Sequence, residues 1–295
     1  MKGLIIQNKL LFPEILKKRP KNVHKKQLGK ILIIAGSKSM TGAAVLTCRA
    51  SMRTGAGIIT LAFPENVKDI YKDLLPEIMT LPCSSTKEGT LSYNVLNLLL
   101  EKSKDFDIVL IGPGLSKNNE TQKLIQDLIL KLEKPILLDA DGLNALQEKT
   151  DLFLERRNKT VITPHEGEMA RLTGLSIEEI KKDRAGIALK YAKKWKIIVV
   201  LKGYETIIAD SSGRVVINKT GGPALASAGT GDVLAGIISS LFAENISKPL
   251  EVASTGVYLH GLAGDIATKE LGERSVVASD VIKYLPKALK LNIVK

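Results

Sequence analysis

The chain has 295 residues, 44% of them apolar, enough to bury the core of one large α/β domain. No apolar run approaches the ~18 residues that cross a bilayer, and the first residues lack the apolar stretch and small-residue cleavage site of a secretion signal. The net charge of +12 points to anionic partners, but the basic residues are dispersed and only 4% of the chain is aromatic, a poor composition for base stacking. Small anionic nucleotides suit that charge, and neither a nucleic-acid nor a membrane partner is expected. Cys48 and Cys83 are too few for a disulfide framework or metal cluster and read as buried thiols, so the expected location is cytoplasmic.

Residues 1–28 read as a short basic arm, with a helical turn near 14–18 after Pro13. Apolar strands then alternate with helices. Strands are predicted at 31–35, 57–63, 108–111, 135–139, 160–163 and 197–201, and helices near 41–53, 121–132 and 177–195. Segments 205–209 and 215–218 flank Ser211, Ser212 and Gly213, a good hairpin turn. Helices near 230–243, 250–269 and 280–291 follow. Charge-poor strands alternating with helices predict an α/β fold, with a central, mostly parallel sheet covered on both faces, in a single domain over 1–295. Ligands in such sheets collect at the carboxyl ends of strands.

The most informative residues are Gly229, Thr230, Gly231 and Asp232, directly before an 11-residue run, 233–243, without a charge. Backbone N–H groups at a helix start lack intrahelical partners and bind anions, and glycine lets a phosphate approach. Asp232 at that junction can take a proton from an attacking hydroxyl, which describes a phosphoryl-transfer site; the same residue also suits a helix N-cap. Lys202 and Gly203, just beyond a buried strand, suit a nucleotide phosphate. Thr163, Pro164 and His165 make good helix-start chemistry, and Glu168 can orient water around Mg²⁺. Asp139 and Asp141 read equally as a Mg²⁺ pair or as caps of a helix starting near Gly142. The loop from Gly36 to Ala44 has neither a dinucleotide fingerprint nor a Walker ending, yet its small residues leave room for a ligand, as do Gly112 and Gly114. His260 reads as helix packing.

In order along the chain, several blocks match one family. They are His24 and Lys25; Met40, Thr41, Gly42, Ala43 and Ala44; Arg53 to Gly57; Gly112 to Leu115; and Leu138 to Asn144. Thr163, Pro164 and His165 with Glu168, Lys202 and Gly203 with Thr206, and Gly229 to Asp232 complete the set. Together they resemble the NAD(P)H-hydrate dehydratases of the ribokinase-like fold, from about residue 22 to the last helix. The resemblance implies repair of NADHX and NADPHX, in which ADP (ATP in eukaryotic relatives) phosphorylates the C6 hydroxyl of the (6S)-hydrate. Phosphate then leaves, and NAD(P)H and AMP are formed. It implies Asp232 as base and Gly229, Thr230 and Gly231 as anion hole. Lys202, Gly203, Tyr204, Glu205, Thr206 and Gly231 would hold ADP or AMP, and Ala43, Gly114, His165 and Asp232 the hydrate. Mg²⁺ would bridge the phosphates, with Glu168 reaching it through water, in a homo-oligomer such as a tetramer. No epimerase domain is expected. Ala228 stands where the family has glycine, Tyr204 where a small residue is usual, and Glu166 where proline is common. The rival is a vitamin or sugar kinase of the same fold, which often has Asn at the position of His165.

Overall fold

Runs of Ile, Leu and Val without charge make strands that are stable only when both faces are covered. The computed structural model describes residues 3–293, and these form ten strands in one sheet. They are β1 (Leu4–Gln7), β2 (Lys30–Ile34), β3 (Ile58–Pro64), β4 (Met79–Cys83), β5 (Ile108–Ile111), β6 (Ile136–Leu138), β7 (Thr160–Ile162), β8 (Ile198–Leu201), β9 (Ile207–Ala209) and β10 (Val215–Asn218). The helices are α1 (Thr41–Thr54), α2 (Lys68–Leu74), α3 (Leu96–Ser103), α4 (Asn119–Lys131), α5 (Asp141–Asn144), α6 (Leu152–Glu155), α7 (Glu166–Thr173), α8 (Ile177–Lys182), α9 (Arg184–Trp195), α10 (Thr230–Glu244), α11 (Pro249–Leu271) and α12 (Ala278–Asn292). The strand order is β1-β10-β9-β8-β7-β6-β5-β2-β3-β4. Neighbours from β8 through β4 are parallel, β9 runs antiparallel to β8 and β10, and β1 lies parallel to β10.

Alternation along each strand builds the two layers. Ile31 and Ile33 of β2 join a core with residues of α1, α10, α11 and α12, while Leu32 and Ile34 join the opposite core with α3, α4, α7 and α9. The expected α/β architecture is therefore the observed one.

Local departures have local reasons. Leu4–Gln7, read as part of the arm, is an edge strand, and Met79–Cys83 is the other edge. Both are short and mostly exposed, and Pro82 suits an edge, so neither carries the apolar signature of a central strand. Farther along the arm, Arg19 donates to the Gly55 carbonyl and to Glu244, each at 2.6 Å. The helices at Lys68–Leu74 and Leu96–Ser103 were not anticipated either. The single helix expected over 177–195 is two, because Asp183 leaves helical geometry and accepts the Gly186 N–H at 2.9 Å as the cap of α9.

Helices α1 and α10 pack closely along one seam. A Cβ on Gly236 would lie 2.4 Å from the Thr47 carbonyl oxygen and 2.8 Å from Ala50 Cβ. Ser51 Oγ, meanwhile, lies 3.0 Å from the Gly236 carbonyl and 3.1 Å from Ser239 Oγ. Gly236→Val is expected to destabilise the fold by about 1–3 kcal/mol through overpacking, more than the few tenths (roughly) gained by removing glycine from a helix. Urea denaturation measures this; an unchanged midpoint would show that the seam is not close-packed.

Candidate active site

Parallel register brings five strand ends to one edge of the sheet. β2 leads through Gly36 to α1, β5 to Gly112 and Gly114, β6 to Asp139, β7 to Thr163 and His165, and β8 to Lys202. Two positions of the turn after β5 admit only glycine. A Cβ on Gly112 (φ +137°) would fall 1.7 Å from the Asp139 carbonyl oxygen. One on Gly114 (φ +67°) would fall 2.7 Å from the Met40 carbonyl and 3.1 Å from Ala43 Cβ, so Gly114 and Ala43 are neighbours.

Lys202 is the hub. Its Nζ donates to Asp139 Oδ1 at 2.7 Å and stands 3.7 Å from Glu168 Oε2. Asp139 Oδ1 also accepts from Thr163 Oγ1 at 2.7 Å, and the Lys202 N–H donates to the Pro164 carbonyl at 2.8 Å. Burial opposes the Lys202 charge, but the Asp139 and Glu168 carboxylates outweigh it and hold the ammonium pKa above its ordinary value. Asp232 lies in the same field. Burial first, then the Asp139 charge, push its pKa up to about 7, while Lys202 pulls it down.

Glu168 and His165 share a capping box. His165 Nδ1 accepts the N–H groups of Gly167 (3.0 Å) and Glu168 (3.3 Å), and Glu168 Oε2 accepts the His165 N–H at 2.8 Å. Burial lowers the His165 pKa, which agrees with a neutral ring whose Nδ1 accepts. Asp139 and Asp141 do not act as a pair. β6 stops at Leu138, Ala140 takes a φ of 47°, and Asp141 turns away to accept from Ser116 N–H (2.8 Å) and Asn144 Nδ2 (3.0 Å). Among the described residues, no group of three His, Cys, Asp or Glu side chains could hold a metal ion.

At the start of α10 the N-cap is Gly229 (φ +87°), which offers no side-chain cap; Asp232 lies within the first turn and is not the cap. The Thr230 N–H turns toward the Ser227 carbonyl (3.4 Å), and its hydroxyl lies 2.8 Å from the Leu225 and 2.9 Å from the Ser227 carbonyl oxygens. The Val233 N–H reaches back to Gly229 (3.1 Å). The N–H groups of Gly229, Gly231 and Asp232 are left without an acceptor among the described residues, so of the expected Gly229, Thr230 and Gly231 only Thr230 is turned inward, and Asp232 adds a further open donor. A Cβ on Gly231 would lie 3.5 Å from Lys202 Nζ, which places the cation beside that open turn. Ala228, in place of a glycine, is not among the residues with positive φ and fits without strain.

Next to the helix start is a cavity of about 340 Å³. Lys202, Gly203, Tyr204, Glu205, Thr206 and Gly231, all the predicted nucleotide ligands, line it. Ala43, Gly114, His165 and Asp232 are not among its lining residues. Tyr204 is 79% exposed. A larger hollow, about 830 Å³, lies among α1, α2 and α12 and includes none of the predicted site residues.

Three further residues shape the cavity, and local sequence did not mark them for it. Arg184 of α9 donates to the carbonyls of Leu201 (3.2 Å), Tyr204 and Glu205 (3.3 Å), pinning the turn after β8. Asp265 of α11 accepts the Gly221 N–H at 3.0 Å. His260, read as helix packing, is buried in α11 and also lines the cavity.

The chain is similar to known proteins over most of its length. The family model described as NAD(P)H-hydrate dehydratase matches residues 31–287. A bifunctional NAD(P)H-hydrate repair enzyme from Moorella thermoacetica is 42% identical over 275 residues, 93% of this chain and 52% of that one. One from Thermofilum pendens is 42% identical over 278 residues, 94% of this chain and 53% of that one. The chain thus spans about half the length of these relatives. Among solved structures, the ADP/ATP-dependent NAD(P)H-hydrate dehydratase from Bacillus subtilis, co-crystallised with ATP/Mg²⁺, is 31% identical with a TM-score of 0.80, covering 95% of each chain. A ribokinase-like superfamily protein from Enterococcus faecalis has a TM-score of 0.86 at 26% identity, over 99% of this chain and 98% of that one. With the family model matched from the second strand into the last helix and the fold shared end to end, the chain belongs to the NAD(P)H-hydrate dehydratase family.

Proposed function

We propose that the chain dehydrates (6S)-NADHX and (6S)-NADPHX to NADH and NADPH, using ADP as phosphoryl donor, with ATP as the alternative donor, and releasing AMP and phosphate when ADP is used. The observation that carries this reading is Asp232, a carboxylate with its pKa near neutrality, in the first turn of a helix whose Gly231 and Asp232 N–H groups are open. Asp232 takes the proton of the C6 hydroxyl as that oxygen attacks the terminal phosphorus of the nucleotide. The bond to the bridging oxygen breaks, and the N–H groups of Gly229, Gly231 and Asp232 with the Lys202 ammonium stabilise the charge on the phosphoryl oxygens. Phosphate is a far better leaving group than hydroxide, and the nicotinamide ring nitrogen supplies the electron pair that expels it.

The cavity lined by Lys202, Gly203, Tyr204, Glu205, Thr206 and Gly231 takes the nucleotide, and Ala43, Gly114 and His165 take the hydrate on the other side of Asp232. Mg²⁺ fits a donor set of oxygens alone, and when bound it supplies neutralisation of phosphate charge. Both Glu168 oxygens already face His165 or Lys202, so that carboxylate would reach the ion through water. The rival reading, a vitamin or sugar kinase, is separated by product: incubation with hydrated NADH, ADP and Mg²⁺ should restore the absorbance of reduced nicotinamide. A stable phosphorylated product with no recovered absorbance would assign the chain to the kinases.

Asp232→Asn is expected to lower kcat about 10³-fold with an unchanged circular dichroism spectrum; near-wild-type turnover would remove Asp232 from the chemistry. The base must be ionised, so kcat/KM for the hydrate should fall about tenfold per pH unit below about 7. For stability the sign is opposite. A carboxyl whose pKa is raised by folding binds its proton more tightly in the native state, so the Asp232 contribution weakens as pH rises from its ordinary 3.8 to about 7. Asn at 232 should flatten that slope in denaturation measured across this range. Lys202→Ala should raise KM for ADP more than KM for the hydrate and move the acid limb of the rate profile to higher pH, because the ammonium holds Asp232 down. Equal losses for both substrates and an unmoved limb would contradict the role given to Lys202.

A further inference from the structure

His260 projects from α11 into the wall of the cavity and is only 8% exposed. Its Nε2 is buried and has no hydrogen-bond partner among the described residues. Leaving such a group unpaired costs about 1–3 kcal/mol, so an unpartnered nitrogen on a ring that lines a cavity calls for a partner that arrives with the ligand. Burial, with the Lys202 charge adding to it, drives the ring pKa down to about 4 against the opposing pull of the Thr230 backbone. The ring is therefore neutral, with one N–H and one lone pair. The Thr230 carbonyl can engage only the N–H, so the lone pair needs a donor. Ionised phosphate oxygens have no proton to donate; sugar hydroxyls and an exocyclic amine do.

We propose that His260 is a recognition residue for the phosphoryl donor, accepting a hydrogen bond from an O–H or N–H of the nucleoside held in the cavity. This deepens the nucleotide assignment above and rests on it. His260 does not touch the transferred group, so its loss should alter affinity and selectivity and leave the chemical step alone.

The test is calorimetric titration of the wild-type protein, with Mg²⁺ present, by ADP, 2′-deoxy-ADP, 3′-deoxy-ADP and IDP. One of the three analogues should bind about tenfold more weakly than ADP, and its missing group identifies the donor as a sugar hydroxyl or the amine. His260→Leu should bind ADP about tenfold more weakly, with kcat within about twofold of wild type, and should no longer discriminate against that analogue. His260→Gln, which keeps an acceptor, should recover part of the discrimination and covers the case in which the leucine variant does not fold. The proposal fails if the wild type binds all four nucleotides alike, or if the variants discriminate as wild type does. It also fails if kcat falls while ADP affinity is unchanged, the signature of a residue that only braces α10. Saturable ADP binding without analogue discrimination would overturn the role of His260 alone; no ADP binding by the wild type would overturn the nucleotide assignment with it.

Discussion

One ammonium serves several carboxylates at the carboxyl edge of the sheet. Lys202 is paired directly with Asp139, lies within reach of Glu168, and acts through space on Asp232. The cluster carries more negative than positive charge, so one carboxylate must stay hard to ionise. The structure assigns that position to Asp232, which is partly buried and not directly paired with the lysine. A carboxyl held near neutrality can both take a proton and return it, whereas Asp139, locked to Lys202 and Thr163, is committed to holding the cation in place.

Each member of the cluster comes from a different strand–loop unit, and only the parallel register brings them together. Asp139 follows β6, Glu168 follows β7, Lys202 follows β8, and Asp232 arrives on α10 from the opposite core. The seam between α1 and α10 fixes the last of these. Small side chains let the helices approach closely, so the first turn of α10, with its open N–H groups, is set by its packing on α1. The division of the site follows from the same arrangement. The turn after β8, the loop before α10 and one face of α11 enclose the cavity, while Ala43, Gly114 and His165 lie beyond its lining.

Much of this was legible in the residues. Charge-poor strands marked the central sheet because buried parallel strands tolerate no charge. Glycines beside Asp232 marked a helix start able to meet an anion, while the choice between Asp232 as cap and Asp232 as base waited on the backbone. The edge strands were silent, because Leu4–Gln7 and Met79–Cys83 are held by pairing on one side and show no buried alternation. The split of the helix over 177–195 was written in Asp183, but a capping side chain and a helical surface Asp look alike until the backbone is known. Arg184 and Asp265 were also silent, since each does its work on backbone groups 17 to 21 or 44 positions away in sequence.

Taken alone, the sequence determined the layers, the family and the identities of the groups able to move a proton or meet a phosphate, because periodicity and residue chemistry are local properties. Tertiary structure decided which of those groups act together. It separated Asp139 from Asp141, turned the Thr230 N–H inward while adding that of Asp232 to the open donors of α10, and turned His260 from a packing residue into part of a cavity wall. Charge coupling and hydrogen-bond occupancy depend on distances of a few ångströms between segments far apart in the chain, and only the packed sheet and helices set those distances.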